Sequence, residues 1–288
     1  MDLEIVRALQ SLQNPALDWF FYGVTSVGDQ YAMIFLTAIL YWTVDRKFAF
    51  RFVVLYLVSA GLNVLLKSIF VRPRPYLEEG VIIPGPEGTL TEGYSFPSGH
   101  SQAAGVLGWT GMQGHARTGR AAFRYASIAV LILVPLSRVY LGQHYLTDVI
   151  VGAILGYGVA YFGYRVLVRI DGNEHLLALM IIPFLLIGVF LTDSEVATVL
   201  SGGMGFFAGY ALDRLLLDHD ISGSLLRQLG KAIIGFTGVI VLFTLFRELT
   251  AGHTVLAVIR YFLIGIWASF GAPVVFAYAF RNHKKTIY

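Results

Sequence analysis

A histidine and an aspartate near the middle of the chain have a spacing that could support nucleophilic or acid–base chemistry. His144 and Asp148 stand four residues apart, so on a helix both side chains point to the same side. A carboxylate that holds one ring nitrogen fixes the tautomer and leaves the other nitrogen free to attack or to take a proton. Taken alone, such a pair is more often a polar contact at a membrane interface than a catalytic one.

The run Pro97-Ser98-Gly99-His100 stands where a loop becomes a helix, and it has the features of an anion site. The first amides of a helix have no internal partner and favour a negative charge. Gly99 lets a phosphate approach the backbone, and the Ser98 hydroxyl can donate a hydrogen bond. The alternative is a simple helix cap, since Ser and Pro are common at helix starts.

Three cations accompany these residues. Lys67 closes an apolar helix, Arg74 follows in a proline-rich loop, and Arg138 ends the helix that precedes His144. A fixed Arg offers a planar fork to phosphate oxygens, and Lys adds a compact charge. The alternative is that Lys67 snorkels and the arginines meet lipid headgroups. Because ionisable residues near a bilayer are costly, a set of them is a functional-site hypothesis. We predict one phosphate-handling site at a membrane surface.

The composition of the whole chain places these residues in a membrane protein. Of 288 residues, 56% are hydrophobic and 14% are charged, whereas a soluble domain carries about 25% charged residues. The absence of Cys excludes disulfides, thiolate metal sites and cysteine nucleophiles. The net charge of +3 comes from basic residues in short loops between apolar runs. That pattern is typical of membrane topology, so we do not expect a nucleic-acid partner.

The apolar runs predict an all-α, polytopic membrane bundle of about nine transmembrane helices. These are expected at roughly 30–44, 49–70, 99–116, 122–141, 144–168, 174–191, 196–212, 230–248 and 256–280. We divide the chain into an amphipathic, interfacial segment (1–29), a membrane core with the three motifs (30–170) and additional C-terminal helices (171–288). Residues 16–29 are either interfacial or an extension of the first helix. The long loop 71–97 cannot span and is expected to form a lid or substrate rim.

The distribution of Lys and Arg predicts which face carries the motifs. With alternating crossings, one face receives 14 of the 21 basic residues: Arg46, Lys47, Arg51, Arg117, Arg120, Arg124, Arg165, Arg169, Arg214, Arg227, Lys231, Arg281, Lys284 and Lys285. The positive-inside rule puts this face in the cytoplasm. The three motifs then lie on the outer face, which is periplasmic in a bacterial inner membrane or lumenal in a membrane of the endoplasmic-reticulum type.

The three motifs together resemble a known family. Lys-x6-Arg-Pro, Pro-Ser-Gly-His and Ser-Arg-x5-His-x3-Asp are met without a gap by Lys67 to Pro75, Pro97 to His100 and Ser137 to Asp148. This signature is similar to that of the type 2 phosphatidate phosphatase superfamily, which includes membrane lipid phosphatases, glucose-6-phosphatase and soluble haloperoxidases. The expected helix count and outer N-terminus resemble the sphingosine-1-phosphate phosphatase and glucose-6-phosphatase branches.

The resemblance implies a role for each motif residue. His144 would attack phosphorus and become phosphohistidine, Asp148 would orient it, and His100 would protonate the leaving oxygen and then activate water. The phosphoryl oxygens would be bound by Lys67, Arg74, Ser98, the Gly99 amide and Arg138. Arg72 is not a motif residue and receives at most a supporting role. Because no acidic cluster resembles a magnesium site, we expect metal-independent turnover without a cofactor.

Two classes of function follow from these observations. The first is a phosphomonoesterase or diphosphatase, with a lipid phosphate as the expected substrate because the site opens at a bilayer, and a sugar phosphate as the alternative. The second is an anion transporter or channel, which is disfavoured because the polar residues cluster on one face and do not line a path through the midplane. A homo-oligomer is compatible with the sequence.

Overall fold

The computed structural model describes residues 2–82, 91–192, 194–250 and 253–280, and every regular element in these ranges is helical. The predicted all-α class is therefore confirmed. The α-helices in chain order are α1 (Asp2–Gln10), α2 (Pro15–Thr25), α3 (Gln30–Ile39), α4 (Arg46–Phe70), α5 (Gly99–Thr118), α6 (Ala121–Tyr140), α7 (Leu146–Leu167), α8 (Glu174–Leu191), α9 (Ser194–Leu212), α10 (Leu225–Thr250), α11 (Thr254–Ile266) and α12 (Ala272–Ala279).

The predicted count of nine membrane helices is not confirmed. Within the described ranges, six spans are long and apolar enough to cross a bilayer: Arg46–Leu77, Ala121–Tyr140, Leu146–Ile170, Glu174–Leu191, Leu225–Arg247 and Thr254–Ala279. A seventh arises if Pro15–Gly28 and Gln30–Val44, which are bent by 57°, form one span. The helices α5 and α9 fall short because polar side chains and glycines dilute their apolar character, among them Ser101 and Gln102 in α5 and Gly205 and Gly209 in α9.

The chain forms two compact units. The first contains Met1–Phe35 and Val54–Arg169, and the second contains Leu36–Val53 and Ile170–Tyr288. The predicted start of the additional helices at residue 171 lies next to the end of the first unit. The N-terminal helices α1 and α2, however, are part of the first unit, and the segment Leu36–Val53 is part of the second.

The amphipathic helix α1 packs its apolar side on the protein. Val6 is fully buried in a cluster with Val139, Tyr145 and Val149. Burial of a valine side chain contributes about 1.5–3 kcal/mol. The cluster holds α1 against the end of α6, which carries Arg138, and against the start of α7, which follows His144. The interfacial position expected for this segment stays a prediction.

Glycines bring α5 and α7 into close contact in the first unit. A Cβ atom on Gly156 would collide with the backbone of Gln102, and one on Gly152 would lie 2.6 Å from the carbonyl oxygen of Ser98. Side chains larger than hydrogen would therefore push the helices apart. This packing fixes the start of α5, with its Pro-Ser-Gly-His motif, against the first turns of α7 that follow His144.

Aromatic side chains from Leu36–Val53 fill the interior of the second unit. The ring centroids of Phe50 and Tyr210 are 4.6 Å apart, and those of Trp42 and Phe236 are 5.0 Å apart. Trp42 also donates from Nε1 to the carbonyl oxygen of Ala268 at 2.7 Å. Trp42 and Phe50 are both fully buried.

Candidate active site

His144 lies in the turn between α6 and α7 and is 1% exposed. Its Nε2 is 3.1 Å from a terminal nitrogen of Arg74, and its Nδ1 is 3.5 Å from Oδ2 of Asp148. A guanidinium group can only donate hydrogen bonds, so Nε2 is the acceptor and the proton of the neutral ring is assigned to Nδ1. This tautomer leaves the Nε2 lone pair available as a nucleophile.

The surroundings of His144 favour its neutral form. Burial lowers the pKa of His144 well below its ordinary value, and the positive charges of Arg74, Arg138 and Lys67 lower it further. The Ser95 backbone opposes this effect by hydrogen bonding. The ring is therefore uncharged at neutral pH, as a nucleophile must be.

Asp148 is fully buried in the first turn of α7 and is held by three donors. Its Oδ1 accepts from Arg72 at 2.7 Å, and its Oδ2 accepts from the backbone amide of Tyr145 at 2.9 Å and from the hydroxyl of Ser95. The carboxylate is thus fixed, and its separation of 3.5 Å from Nδ1 of His144 is an electrostatic contact slightly too long for a strong hydrogen bond.

Arg72, which the sequence assigned at most a supporting role, contacts Asp148, and it also contacts Asp2, which was not among the predicted site residues. The second terminal nitrogen of Arg72 donates to Oδ2 of Asp2 at 3.0 Å, and the hydroxyl of Thr147 donates to the same oxygen at 2.6 Å. The guanidinium also lies 3.9 Å from the ring centroid of Tyr145. Charged contacts therefore run from Asp2 in α1 through Arg72 to Asp148.

Arg74 is fully buried and is held by backbone carbonyl oxygens. It donates to Gly93 and Glu92 at 2.9 Å each and to Gln143 at 3.1 Å. Three backbone acceptors fix the plane of the guanidinium and keep one terminal nitrogen beside His144. Gly93 and Glu92 belong to the loop 71–97, of which residues 83–90 lie outside the described ranges, so the predicted lid stays a prediction.

Arg138 is 2% exposed and bonds two threonines that were not among the predicted site residues. Its terminal nitrogens donate to the hydroxyls of Thr25 at 2.9 Å and Thr91 at 2.8 Å. Its Nε is buried and has no hydrogen-bond partner in the part of the chain that the structure describes. A buried donor of this kind is suited to an anion, because leaving it unpaired costs about 1–3 kcal/mol.

Lys67 stands in the last turn of α4 and is half-buried. Its Nζ donates to the carbonyl oxygen of Tyr94 at 2.5 Å. The charge of Lys67 acts on both candidate histidines, His100 and His144. Lys67, from the first motif, therefore lies close enough to the histidines of the second and third motifs to lower their pKa values.

Ser98 is the N-cap of α5, as the alternative reading of this motif proposed. Its hydroxyl oxygen accepts from the amide of Ser101 at 3.3 Å and from the Ser101 hydroxyl at 3.1 Å. Its own amide donates to the carbonyl oxygen of Asp148 at 3.1 Å. Because Ser98 accepts in both side-chain contacts, its hydroxyl proton is not used by them. A Cβ on Gly99 would lie 3.5 Å from Asn63, an ordinary contact distance.

His100 lies in the first turn of α5, with 18% of its side chain exposed. Its Nε2 is 3.7 Å from Oδ1 of Asp29. Burial lowers the pKa of His100 well below its ordinary value, and the positive charges around it, from Arg138, Arg74 and Lys67 among others, lower it further. Burial raises the pKa of Asp29 above its ordinary value, and Arg138 opposes this shift. Asp29 was not predicted as a site residue, although an acidic residue interrupting an aromatic stretch was a visible signal.

The described residues thus bring the predicted site residues of all three motifs into one region of the first unit. The region combines a buried neutral imidazole, a second imidazole beside a carboxylate, three cations and the open amides of a helix start. Such an arrangement can hold a phosphoryl group by its oxygens and attack it from Nε2 of His144. The role of each residue stays a prediction.

Two family profiles match the chain. Residues 48–171 match the PAP2 superfamily, and residues 197–282 match the family described as PAP2 superfamily phosphatase, transmembrane extension. The first match contains every predicted site residue.

Individual proteins with known names or structures are also similar. Sphingosine-1-phosphate phosphatase 2 of Mus musculus is 22% identical over 71% of this chain. The match covers 62% of the length of that relative. Undecaprenyl-diphosphatase of Sulfolobus acidocaldarius is 25% identical over 57% of this chain and 78% of its own length. The crystal structure of Aquifex aeolicus LpxE has a TM-score of 0.50 and 25% identity, over 57% of this chain and 94% of that one.

Proposed function

Because the chain belongs to the PAP2 superfamily, we propose that it is an integral membrane phosphatase that hydrolyses a lipid phosphomonoester or diphosphate. The observation that carries the proposal is the contact of 3.1 Å between Nε2 of His144 and the guanidinium of Arg74. It supports a neutral, buried nucleophile whose attacking atom already lies beside a phosphate-binding cation. A phosphoryl oxygen that enters would take over the Arg74 donor and leave Nε2 free to attack.

In the proposed mechanism the reaction has two steps through His144. Nε2 forms a bond to phosphorus while the bond to the leaving oxygen breaks, and His100, which starts this step in its protonated form, gives that oxygen a proton. The proton on Nδ1 stays on the ring, so phosphohistidine carries a positive charge that Asp148 offsets. In the second step His100 takes a proton from water, and the water oxygen displaces His144 from phosphorus.

The cations have the task of balancing charge at the phosphoryl group. Charge builds on the equatorial oxygens during transfer, and prearranged donors stabilise it without reorganisation. We assign this task to Lys67, Arg74 and Arg138, with the Ser98 hydroxyl and the amide of Gly99. The unpartnered Nε of buried Arg138 supports its assignment.

An apolar pocket supports a lipid as the substrate. It has a volume of about 450 Å³ and is lined by residues of α6 and α7 that include Leu131, Ala153, Tyr157 and Phe162. Ala153 follows Asp148 by five residues, which is about 7.5 Å along a helix. A hydrocarbon chain attached to a phosphate at His144 could therefore enter this pocket. The names of the two curated relatives, which refer to phosphorylated lipids, point in the same direction.

We place the active site on the outer or lumenal face. The support for this assignment is the excess of Lys and Arg in the loops on the opposite side of the predicted topology. Part of that excess, from Arg281 to Lys285, lies outside the described residues.

Phosphate release from a panel of lipid and sugar phosphates, in detergent with excess chelator, tests the proposal. We expect release from a lipid phosphate, and we expect His144→Ala to abolish it while the variant unfolds at the wild-type temperature. His253→Ala, an exposed histidine in the second unit, is the matched control and should stay active. Near-full activity of His144→Ala would refute the nucleophile, and a strict need for magnesium would refute the metal-independent mechanism.

A further inference from the structure

A second polar cluster lies in the second unit, at the turn that follows α9. Asp213 is fully buried there. Its Oδ2 accepts from the hydroxyl of Tyr41 at 2.6 Å and from Nδ1 of His219 at 2.8 Å, and its Oδ1 accepts from the His219 amide at 3.2 Å. Arg46 adds a charged contact at 3.3 Å. Burial raises the pKa of Asp213, but the hydrogen bonds from His219 and Tyr41 outweigh it and keep this pKa below its ordinary value.

The ionised Asp213 fixes the tautomer of His219. A carboxylate can only accept hydrogen bonds, so Nδ1 of His219 carries the ring proton. In the neutral ring, the opposite nitrogen, Nε2, then has a lone pair. This atom is buried and has no partner within the described ranges, and the side chain is 1% exposed. Buried polar atoms without partners are rare in folded proteins, and each one asks for an explanation.

A second unpartnered nitrogen lies at the same pocket. The pocket has a volume of about 270 Å³, and its lining includes His219, Asp220, Arg227, Phe276 and Phe280. The Nε of Arg227 is buried without a hydrogen-bond partner in the described part of the chain, while one of its terminal nitrogens lies 3.7 Å from Asp220. The lining of the pocket therefore offers a donor at Arg227 and, with a neutral imidazole, an acceptor at His219.

The two carboxylates that line the pocket are engaged by other groups. Asp218 is paired with Arg46 at 2.9 Å and with Arg214, and the carboxylate of Asp220 accepts from the amide and hydroxyl of Ser222 at 2.8 Å. Lys231 is buried and donates to the Asp220 carbonyl oxygen at 2.8 Å. Three charged residues line the pocket, Asp218, Asp220 and Arg227, and of these the arginine has an N–H donor without a hydrogen-bond partner among the described residues.

We propose that this pocket is a second anion site that binds a protonated phosphate group, separate from the candidate active site. A hydrogen phosphate carries a hydrogen-bond partner for each of these two nitrogens. Its P–OH donates to Nε2 of His219, and an anionic oxygen accepts from Nε of Arg227. Sulfate has no O–H at neutral pH and leaves Nε2 unpaired. A phosphodiester headgroup has none either, so the ligand is inorganic phosphate or a terminal phosphomonoester.

Equilibrium dialysis of the purified full chain against inorganic phosphate tests this site. We expect the wild type to bind one more equivalent of phosphate than Arg227→Gln, with affinity at that site at least about fivefold above that for sulfate, since an unpaired buried acceptor costs about 1–3 kcal/mol and about 1.4 kcal/mol is a factor of ten. Methylphosphonate, which resists hydrolysis, stands for the phosphomonoester, and its binding relative to phosphate identifies the source. Arg214→Gln, which removes a cation that does not line the pocket, should bind like the wild type.

His219→Phe provides the second variant and should lose the preference for phosphate over sulfate. If Arg227→Gln does not fold, the comparison of phosphate with sulfate on the wild type still decides the question. Equal binding of phosphate and sulfate in the wild type, or an unchanged number of bound phosphates in a folded Arg227→Gln, would overturn the proposal.

Discussion

Replacing Arg72 by Gln tests whether this arginine positions the nucleophile through Asp148. The change removes the bond of 2.7 Å to Oδ1 of Asp148 and the bond of 3.0 Å to Asp2. A hydrogen bond to a charged group contributes about 1.5–3 kcal/mol, and about 1.4 kcal/mol corresponds to a factor of ten. Arg72 is 30% exposed, so water weakens the pair and we take the lower half of this range. We expect kcat to fall roughly 10- to 30-fold.

The assay is steady-state phosphate release with the best lipid substrate of the panel. Because Arg72 acts on the orientation of His144 and does not bind phosphate in our scheme, the loss should appear in kcat with little change in KM. Arg72→Lys, which keeps the charge, should be intermediate. Arg7→Gln is the matched control, since Arg7 is exposed and its side chain donates to the Glu79 carbonyl oxygen at 2.6 Å, away from Asp148, and it should stay within about twofold of the wild type.

Asp2 supplies an internal check on the same reasoning. Asp2→Asn alone should lower kcat by roughly 2- to 10-fold, as expected for one partly exposed hydrogen bond. In the Arg72→Gln background it should add little, because the two changes break one chain of contacts. Wild-type kcat in Arg72→Gln, or a loss seen in KM alone, would show that Asp148 does not need this support.

Two further predictions concern the histidines. His100→Ala should slow substrates with poor leaving groups far more than an activated aryl phosphate, because only the former need a proton on the leaving oxygen; equal losses on both would argue against an acid role. Burial and the neighbouring cations lower the pKa of His144, so kcat/KM should hold down to acidic pH and fall as His144 gains a proton. Lys67→Met removes one of these charges and should raise that pKa, which moves the acid limb to higher pH. The same substrate must be used for both proteins, so that its own ionisation cancels, and an acid limb that stays in place would contradict the electrostatic account.

The sequence predicted much of the candidate site because its signals are local. The spacing of His144 and Asp148 and the position of Ser98 at a helix start are read from neighbouring residues. In the structure His144 lies in the turn before α7, with its Nδ1 3.5 Å from Asp148, and Ser98 is the N-cap of α5. The predicted convergence of Lys67, Arg74 and Arg138 depended on the combined motifs.

The missed residues are held by contacts between distant parts of the chain. Arg138 bonds Thr25, which precedes it by 113 residues, and Asp2 reaches Arg72 across 70 residues. No periodicity encodes such pairs. The helix count exceeded the number of qualifying spans for a different reason: the runs that became α5 and α9 were taken as spans, although their small and polar residues serve packing, as Gly205 does against the backbone of Phe262.

The route of the chain through the second unit has a consequence for any attempt to trim this protein. A fragment that stops at residue 170 would retain every motif residue, yet it would also retain Leu36–Val53, whose natural neighbours lie downstream. Trp42 would lose its ring contact with Phe236, and Phe50 would lose its contact with Tyr210. Both side chains would then form an exposed hydrophobic surface that favours aggregation. The C-terminal helices thus cover aromatic side chains from a much earlier segment, and a shorter fragment with the motifs would require redesign of that segment.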